Sequence, residues 1–212
     1  MENKIFEKPS FFHYPKKLAT DYGFETLQDF MLSWTFRWAE KKYALSNPNI
    51  YEYSRKILFG LILGIRPERY NGKNLIVPDN FPNNFEVEKV EVYRQWKQID
   101  LIVEIDILFN NERSQYVLNI ENKWYTNISE GQLERAAKYT FEEYAPNRII
   151  KNYVIYCDNC KITESLFKQC YQADFTLISV EDLQQIAGMD SEHATLTASD
   201  LFDEYWLKHL LK

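Results

Sequence analysis

The sequence predicts an α/β protein, a central sheet with helices packed against it. Three observations carry that expectation. Residues 99–124 read as two strands, IDLIVEIDILF and QYVLNIENKW. Residues 26–64 and 130–145 repeat their apolar positions at helical spacing, and short strand and helix patterns alternate from there to the C-terminus.

The hairpin organises the rest. With a period of two, Leu101, Val103, Ile105 and Ile107 share one side, and Asp100, Ile102, Glu104 and Asp106 the other. In the next strand Leu118, Ile120 and Trp124 oppose Val117, Asn119, Glu121 and Lys123. Directly paired residues of antiparallel strands point the same way. Asp100, Glu121 and Lys123 therefore converge only if paired residue numbers sum to an odd value. Asp100 opposite Lys123 is such a register, and it leaves Phe109–Ser114 as the turn. A one-residue slip would scatter the three and bury charge against the apolar side.

Two carboxylates at one point repel unless a cation lies between them, and hard oxygen ligands suit magnesium. Such an ion polarises a phosphate and lowers the pKa of a bound water. Lys123 would hold the attacking water or offset transition-state charge. Gln132, opening the next helix, orients water or a phosphate oxygen without adding charge. From spacing alone, the same residues also describe the solvated side of an amphipathic hairpin, with Glu121 and Lys123 as an exposed ion pair.

The remaining elements follow in order. Residues 1–25, with Pro9 and Pro15, show no sustained period and read as an irregular arm. Thr26 is placed as the N-cap of a helix to about Leu45, with Leu27, Phe30, Met31, Trp34, Trp38 and Leu45 inward. Both tryptophans are read as core packing rather than a stacking platform. Ser46–Pro48 breaks that helix, and Asn49–Gly64 forms a second, with Ile57, Leu58, Leu61 and Ile62 inward and Gly64 as the stop. Residues 66–84 are a loop, whose Arg66, Arg69 and Lys73 read as solvated or as touching a phosphate backbone. FEVEKVEVYRQW alternates as a strand before the hairpin, with Glu86, Glu88 and one or more of Lys89, Arg94 and Lys97 on a charged face. After the hairpin, the 130–145 helix buries Leu133, Ala136, Ala137 and Phe141 and ends at Pro146. Ile149–Tyr156 and Phe175–Val180 are strands, 163–171 and 181–187 helices, and a last helix runs from about Ser199 to Leu211.

A chain of 212 residues fits one domain, residues 1–212, with 45% hydrophobic and 16% aromatic residues for its core. The net charge of −6 argues against holding nucleic acid by bulk charge, and leaves room for a local basic groove. The opening MENKIFEKPSFFHYP has acids and prolines where a signal peptide needs an apolar core. The longest apolar run, Ile57–Ile65, is too short to span a bilayer. A soluble cytoplasmic protein is expected.

IDLIVEID…NIENKWYTN…GQLERAAKY resembles the PD-(D/E)XK nuclease superfamily: an acid opening one strand, E-x-K ending the next, a glutamine on the following helix. Upstream, DFMLSWTFRWAEKKYALSNPNIYEYSRKILFGLI resembles the start of a largely uncharacterised bacterial family within it, marked by D-x-x-L-x-W-x-x-x-W-A. The resemblance covers roughly residues 28–145 and is carried by the ordered set of four elements. It implies a restriction-endonuclease-like central mixed sheet flanked by helices, and hydrolysis of nucleic-acid phosphodiesters with Mg (or Mn). Asp100 and Glu121 would be the metal ligands, with the Asn122 backbone carbonyl a further one, and Lys123 and Gln132 would complete the site. Nucleic acid, DNA foremost, is the expected partner, with no membrane; a homodimer is left open. The superfamily's proline–aspartate pair is Ile99–Asp100 here, and Glu40 and Glu52 are the candidates for the helix acid that many members add. The competing expectation is a nuclease fold that no longer cuts and serves as a binding or assembly module.

Cys157 and Cys160 sit between a strand and a helix, as a redox pair would, but lack the surrounding fold pattern. Cys170 would give zinc only a third ligand, and free thiols are expected. His13, His193 and His209 are scattered, and no Gly-rich phosphate loop is present.

Overall fold

The computed structural model of the protein describes residues 23–64, 81–124, 126–190 and 194–208. The N-terminal arm before Gly23, the loop cations Arg66, Arg69 and Lys73, and the three histidines lie outside them. Five strands form one mixed sheet in sequence order: β1 (Phe85–Trp96), β2 (Ile99–Phe109), β3 (Glu112–Lys123), β4 (Ile149–Tyr156) and β5 (Thr176–Ser179). β1, β2 and β3 pair antiparallel, and β3, β4 and β5 pair parallel. The helices are α1 (Phe24–Trp38), α2 (Pro48–Leu63), α3 (Gln132–Tyr144), α4 (Glu164–Gln172), α5 (Val180–Ala187) and α6 (Asp200–Phe202). The expected α/β, restriction-endonuclease-like architecture is present.

The hairpin keeps the expected parity in a different register. Leu101 faces Ile120 and Phe109 faces Glu112, so one further step brings Asp100 level with Glu121 rather than Lys123. The turn shrinks to Asn110–Asn111, with φ of 51° and 65°. Both positions of a two-residue hairpin turn need the left-handed region, and asparagine tolerates it best after glycine.

The two sides of the sheet bury two apolar layers. Leu101, Val103, Ile105, Leu118 and Ile120 pack with α1, α2, α5 and the C-terminal segment. Ile102, Val117 and Val154 pack with α3 and α4 through Leu133, Ala136 and Cys170. α2 and α5 approach so closely that a Cβ on Gly60 would come within 2.6 Å of the Ile186 side chain.

The first helix departs from its sequence reading. It starts after Gly23, whose φ of 111° suits glycine, and stops at Trp38 instead of reaching Leu45. Glu40 leaves it to form an isolated bridge with Val87. The buried line is Gln28, Leu32, Thr35, Phe36 and Ala39, so Phe30 turns outward and Leu45 is fully solvated. Trp34 and Trp38 are half-buried, set edge-on at 6.0 Å and packed against the core, with Phe202 and Tyr43 as further neighbours. The last helix begins near Ser199, as expected, with Ser199 as its cap, and widens into a π-turn over Asp203–Lys208; its expected end at Leu211 lies outside the described residues. Trp206 on it is fully buried and donates to Thr35 Oγ1 at 2.8 Å.

Candidate active site

The start of β2, the end of β3 and the start of α3 meet on the α3 side of the sheet. Asp100 accepts the Asn122 N–H on Oδ2 at 2.8 Å and the Gln95 side-chain N–H on Oδ1 at 3.0 Å. Glu121 and Lys123 lie two residues apart on β3 and so share a face. The Lys123 Nζ stands 3.8 Å from Asp100 Oδ2 and 3.7 Å from Glu121 Oε2. Gly131, at φ 67°, turns the chain into α3 so that Gln132 reaches back and donates to Glu121 Oε2 at 2.6 Å. The Ser129 N–H donates to Gln132 Oε1 at 3.1 Å and fixes which end of that amide faces Glu121. All four predicted side chains are thus brought together.

Glu121 is fully buried, and its Oε1 has no hydrogen-bond partner. Burial pushes its carboxyl up to about 8, Asp100 adds to the rise through its charge and through a side-chain hydrogen bond to the protonated form, and Lys123 and Gln132 oppose it. A buried carboxylate oxygen with no donor is costly unless a cation meets it. Among the described residues no group of three or more His, Cys, Asp or Glu could hold a metal. A cation here would rest on two carboxylates, backbone oxygen and water. Magnesium and manganese accept such a set, and zinc's nitrogen–sulfur preference does not fit it.

A second polar cluster, unforeseen in the sequence, holds the end of β3 from the opposite side of the sheet. The Asn122 side chain is fully buried. Its Nδ2 donates to Asp29 Oδ1 at 2.9 Å and to the Glu25 carbonyl at 3.0 Å, while Gln28 Nε2 donates to its Oδ1. Glu25 also accepts the Trp124 N–H at 2.9 Å, and the Phe24 ring stacks on Trp124 at 5.2 Å. The first turns of α1 therefore fix the residue between Glu121 and Lys123, and with it the aim of both. Burial and Asp100's charge hold the Asp29 carboxyl up at about 7. The signal was available: Gln28 and Asp29 fall on the same helical line as Leu32 and Phe36, where solvated polar residues do not belong.

Glu40 and Glu52 are not part of this site. Glu40 bridges to Val87 and pairs with Lys42; Glu52 pairs with Arg55, whose Nη1 donates to the Phe85 carbonyl. Val87 and Phe85 face Ile107 and Phe109, at the turn end of the hairpin. The acids of α1 that reach this end of β3 are Asp29, through Asn122, and Glu25, through Trp124. None of the three cysteines forms a disulfide, and the Cys157 Sγ donates to the Trp124 carbonyl at 3.1 Å. No described helix is long and apolar enough to cross a membrane.

Comparison with curated proteins and with solved structures found no match. The sequence model of the PD-(D/E)XK nuclease superfamily matches residues 37–194, which take in Asp100, Glu121, Lys123 and Gln132 and leave out Gln28 and Asp29. A match over that much of the chain, on a mixed sheet with an acid opening β2 and E-x-K closing β3, settles the assignment: the chain belongs to the PD-(D/E)XK nuclease superfamily.

Proposed function

We propose that the protein hydrolyses phosphodiester bonds of nucleic acid, DNA foremost, at the site formed by Asp100, Glu121, Lys123 and Gln132. The observation that carries this reading is the buried, unpartnered Oε1 of Glu121 beside Asp100, with one lysine as the nearest positive charge. Asp100 and Glu121 are the side chains that would hold magnesium or manganese. The Asn122 N–H donates to Asp100, and the Asn122 backbone carbonyl would be a further ligand. When bound, the ion supplies polarisation of the scissile phosphate and a more acidic water.

The chain's own residues do the rest. The Lys123 ammonium, held between two carboxylates, positions the attacking water and offsets charge developing on the phosphoryl oxygens. Gln132, its amide set by the Ser129 N–H, keeps Glu121 Oε2 fixed and leaves Oε1 for the cation. α1 on one side and α3 on the other limit the motion of all four groups, so that orientation is established before substrate arrives.

Plasmid, linear duplex, single-stranded DNA and RNA incubated with magnesium, manganese or EDTA test the proposal. Cleavage that EDTA abolishes is expected. A protein that cuts none of these and shows no calorimetric binding of either metal would be a binding module on a nuclease fold instead.

A further inference from the structure

Beside the site lies a groove of about 710 Å³ between the outward face of α1 and the end of the edge strand β1. Phe30, Ser33 and Arg37 line it from the helix, and Tyr93, Arg94 and Gln95 are among the residues lining it from the strand. Two features coincide in it. Phe30 is 53% exposed and Tyr93 41% exposed, two exposed rings facing one groove, whereas Phe141 and Tyr171 are exposed elsewhere on the surface. In addition, neither Arg37 nor Arg94 forms a salt bridge among the described residues, although the charge of Arg94 reaches Asp29, in a chain with 31 acids to 25 bases. Arg55, Arg113 and Arg148 are each engaged by a glutamate. Arg37 instead donates to the Ser33 carbonyl one turn back, and the Arg94 guanidinium lies 3.4 Å over the Phe30 ring. A planar cation stacked on an exposed ring, with a second unpaired guanidinium close by, combines a phosphate contact with a face on which a base can stack.

The groove shares Gln95 with the candidate active site, which lies across the sheet edge from it. Gln95 on its strand side donates to Asp100, and Asp29, the neighbour of Phe30 on α1, feels the charges of both Arg94 and Asp100.

We propose that this groove receives an unpaired stretch of polynucleotide next to the scissile phosphate, its phosphates on Arg37 and Arg94 and a base stacked on the Phe30–Arg94 pair. The inference rests on reading the adjoining site as a nuclease. A duplex keeps its base faces inside the stack and offers the groove only phosphates; an unpaired strand offers both. The net acidity of the chain disfavours binding along a long stretch of backbone, so a short contact with two cations and a ring is the form that recognition takes here.

The test separates binding from cutting. Short labelled single-stranded DNA, single-stranded RNA and duplex DNA are titrated in EDTA against wild type, Arg37→Ala, Arg94→Ala and Phe30→Ala, with melting curves as the control for folding. At least one single strand is expected to bind more tightly than the duplex, and the DNA and RNA arms show which sugar is accepted. Phe30→Ala should weaken that binding about tenfold and leave the duplex unchanged, in keeping with the loss of one stacked base. Each arginine variant should weaken it too and lower the salt slope by roughly 0.7. Equal or tighter duplex binding, or variants that bind like wild type, overturns the groove. That result leaves the nuclease reading to stand on its cleavage assay, and binding that survives in a protein unable to cut would overturn the nuclease reading alone.

Discussion

Asp100 and Asp106 lie on the same side of β2, six residues apart, and the protein treats them in opposite ways. Asp106 accepts Arg148 Nη1 at 2.9 Å and the Gln115 side chain at 3.0 Å. Glu104 beside it takes Arg148 Nη2 at 3.2 Å and the Tyr144 hydroxyl at 2.9 Å. There the carboxylates are matched by a forked guanidinium and hydrogen bonds, and nothing is left for a ligand. At Asp100 and Glu121 the only cation within 4 Å among the described residues is Lys123, a point charge nearly equidistant from both, and one glutamate oxygen has no partner. Saturated charge belongs to structure. A buried acid left unsaturated either keeps its proton or takes a cation in its place, and that is the physical mark of the site.

The largest expected effect breaks the unsaturated end. Lys123→Ala leaves both carboxylates, so metal should still bind, while cleavage falls by roughly two orders of magnitude or more. Glu121→Gln removes a ligand charge, so metal affinity and cleavage should fall together. Calorimetry and a gel assay on the same preparations distinguish the two. Equal cleavage by wild type and Lys123→Ala would mean that these residues are not the catalytic ones.

The next prediction uses acidity. In the folded, metal-free chain Glu121 keeps its proton until about pH 8, against 4.5 for an ordinary glutamate. Asp29 keeps its own until about 7, against 3.8. Between those values the folded state binds more protons than the unfolded one, so stability falls as pH rises. The metal-free protein should therefore lose melting temperature from about pH 5 to pH 8, and Glu121→Gln should flatten the loss. Magnesium should restore more stability at the alkaline end, where the cation takes the proton's place, and should release protons on binding near neutrality. A melting temperature indifferent to pH in this window would show that Glu121 is not buried as described.

Arg148→Ala attacks the saturated end. Its side chain is 16% exposed, and its loss leaves Glu104 and Asp106 partly buried without a cation. A cost of about 1–3 kcal/mol is expected in a urea titration, with metal binding unchanged.

How far the sequence foretold this contrast depends on the element. The two-residue period of β2 and β3 fixed which residues share a face, because a slip would have buried charge against apolar side chains. It does not fix the pairing within that parity, because the period alone does not show that Asn110–Asn111 is a complete turn in itself. The helical period carries α1 on to Leu45, which suits the spacing but covers nothing. The same period puts Phe30 inward, whereas its partner is Arg94 on the outward face. The clamp on Asn122 is only half legible. The helical line of Leu32 and Phe36 marks Gln28 and Asp29 as out of place for solvent, and the tertiary partner shows what they hold.

The smallest expected effect tests whether geometry or burial separates the two ends of β2. Arg113 meets Glu88 with both its Nε and Nη2, at 3.2 Å and 3.0 Å, a two-point contact as Arg148 makes, although Arg148 divides its two between Glu104 and Asp106. The difference lies in the surroundings: the Arg113 side chain is 77% exposed, beside the hairpin turn. Water screens the pair there, and an unpaired Glu88 would simply be solvated. Arg113→Ala should leave the melting temperature and cleavage within error of wild type, and salt should erase what difference remains. If Arg113→Ala instead destabilised as much as Arg148→Ala, forked geometry alone would set the worth of these pairs. The buried, half-matched charge at Asp100 and Glu121 would then lose its standing as a mark of function.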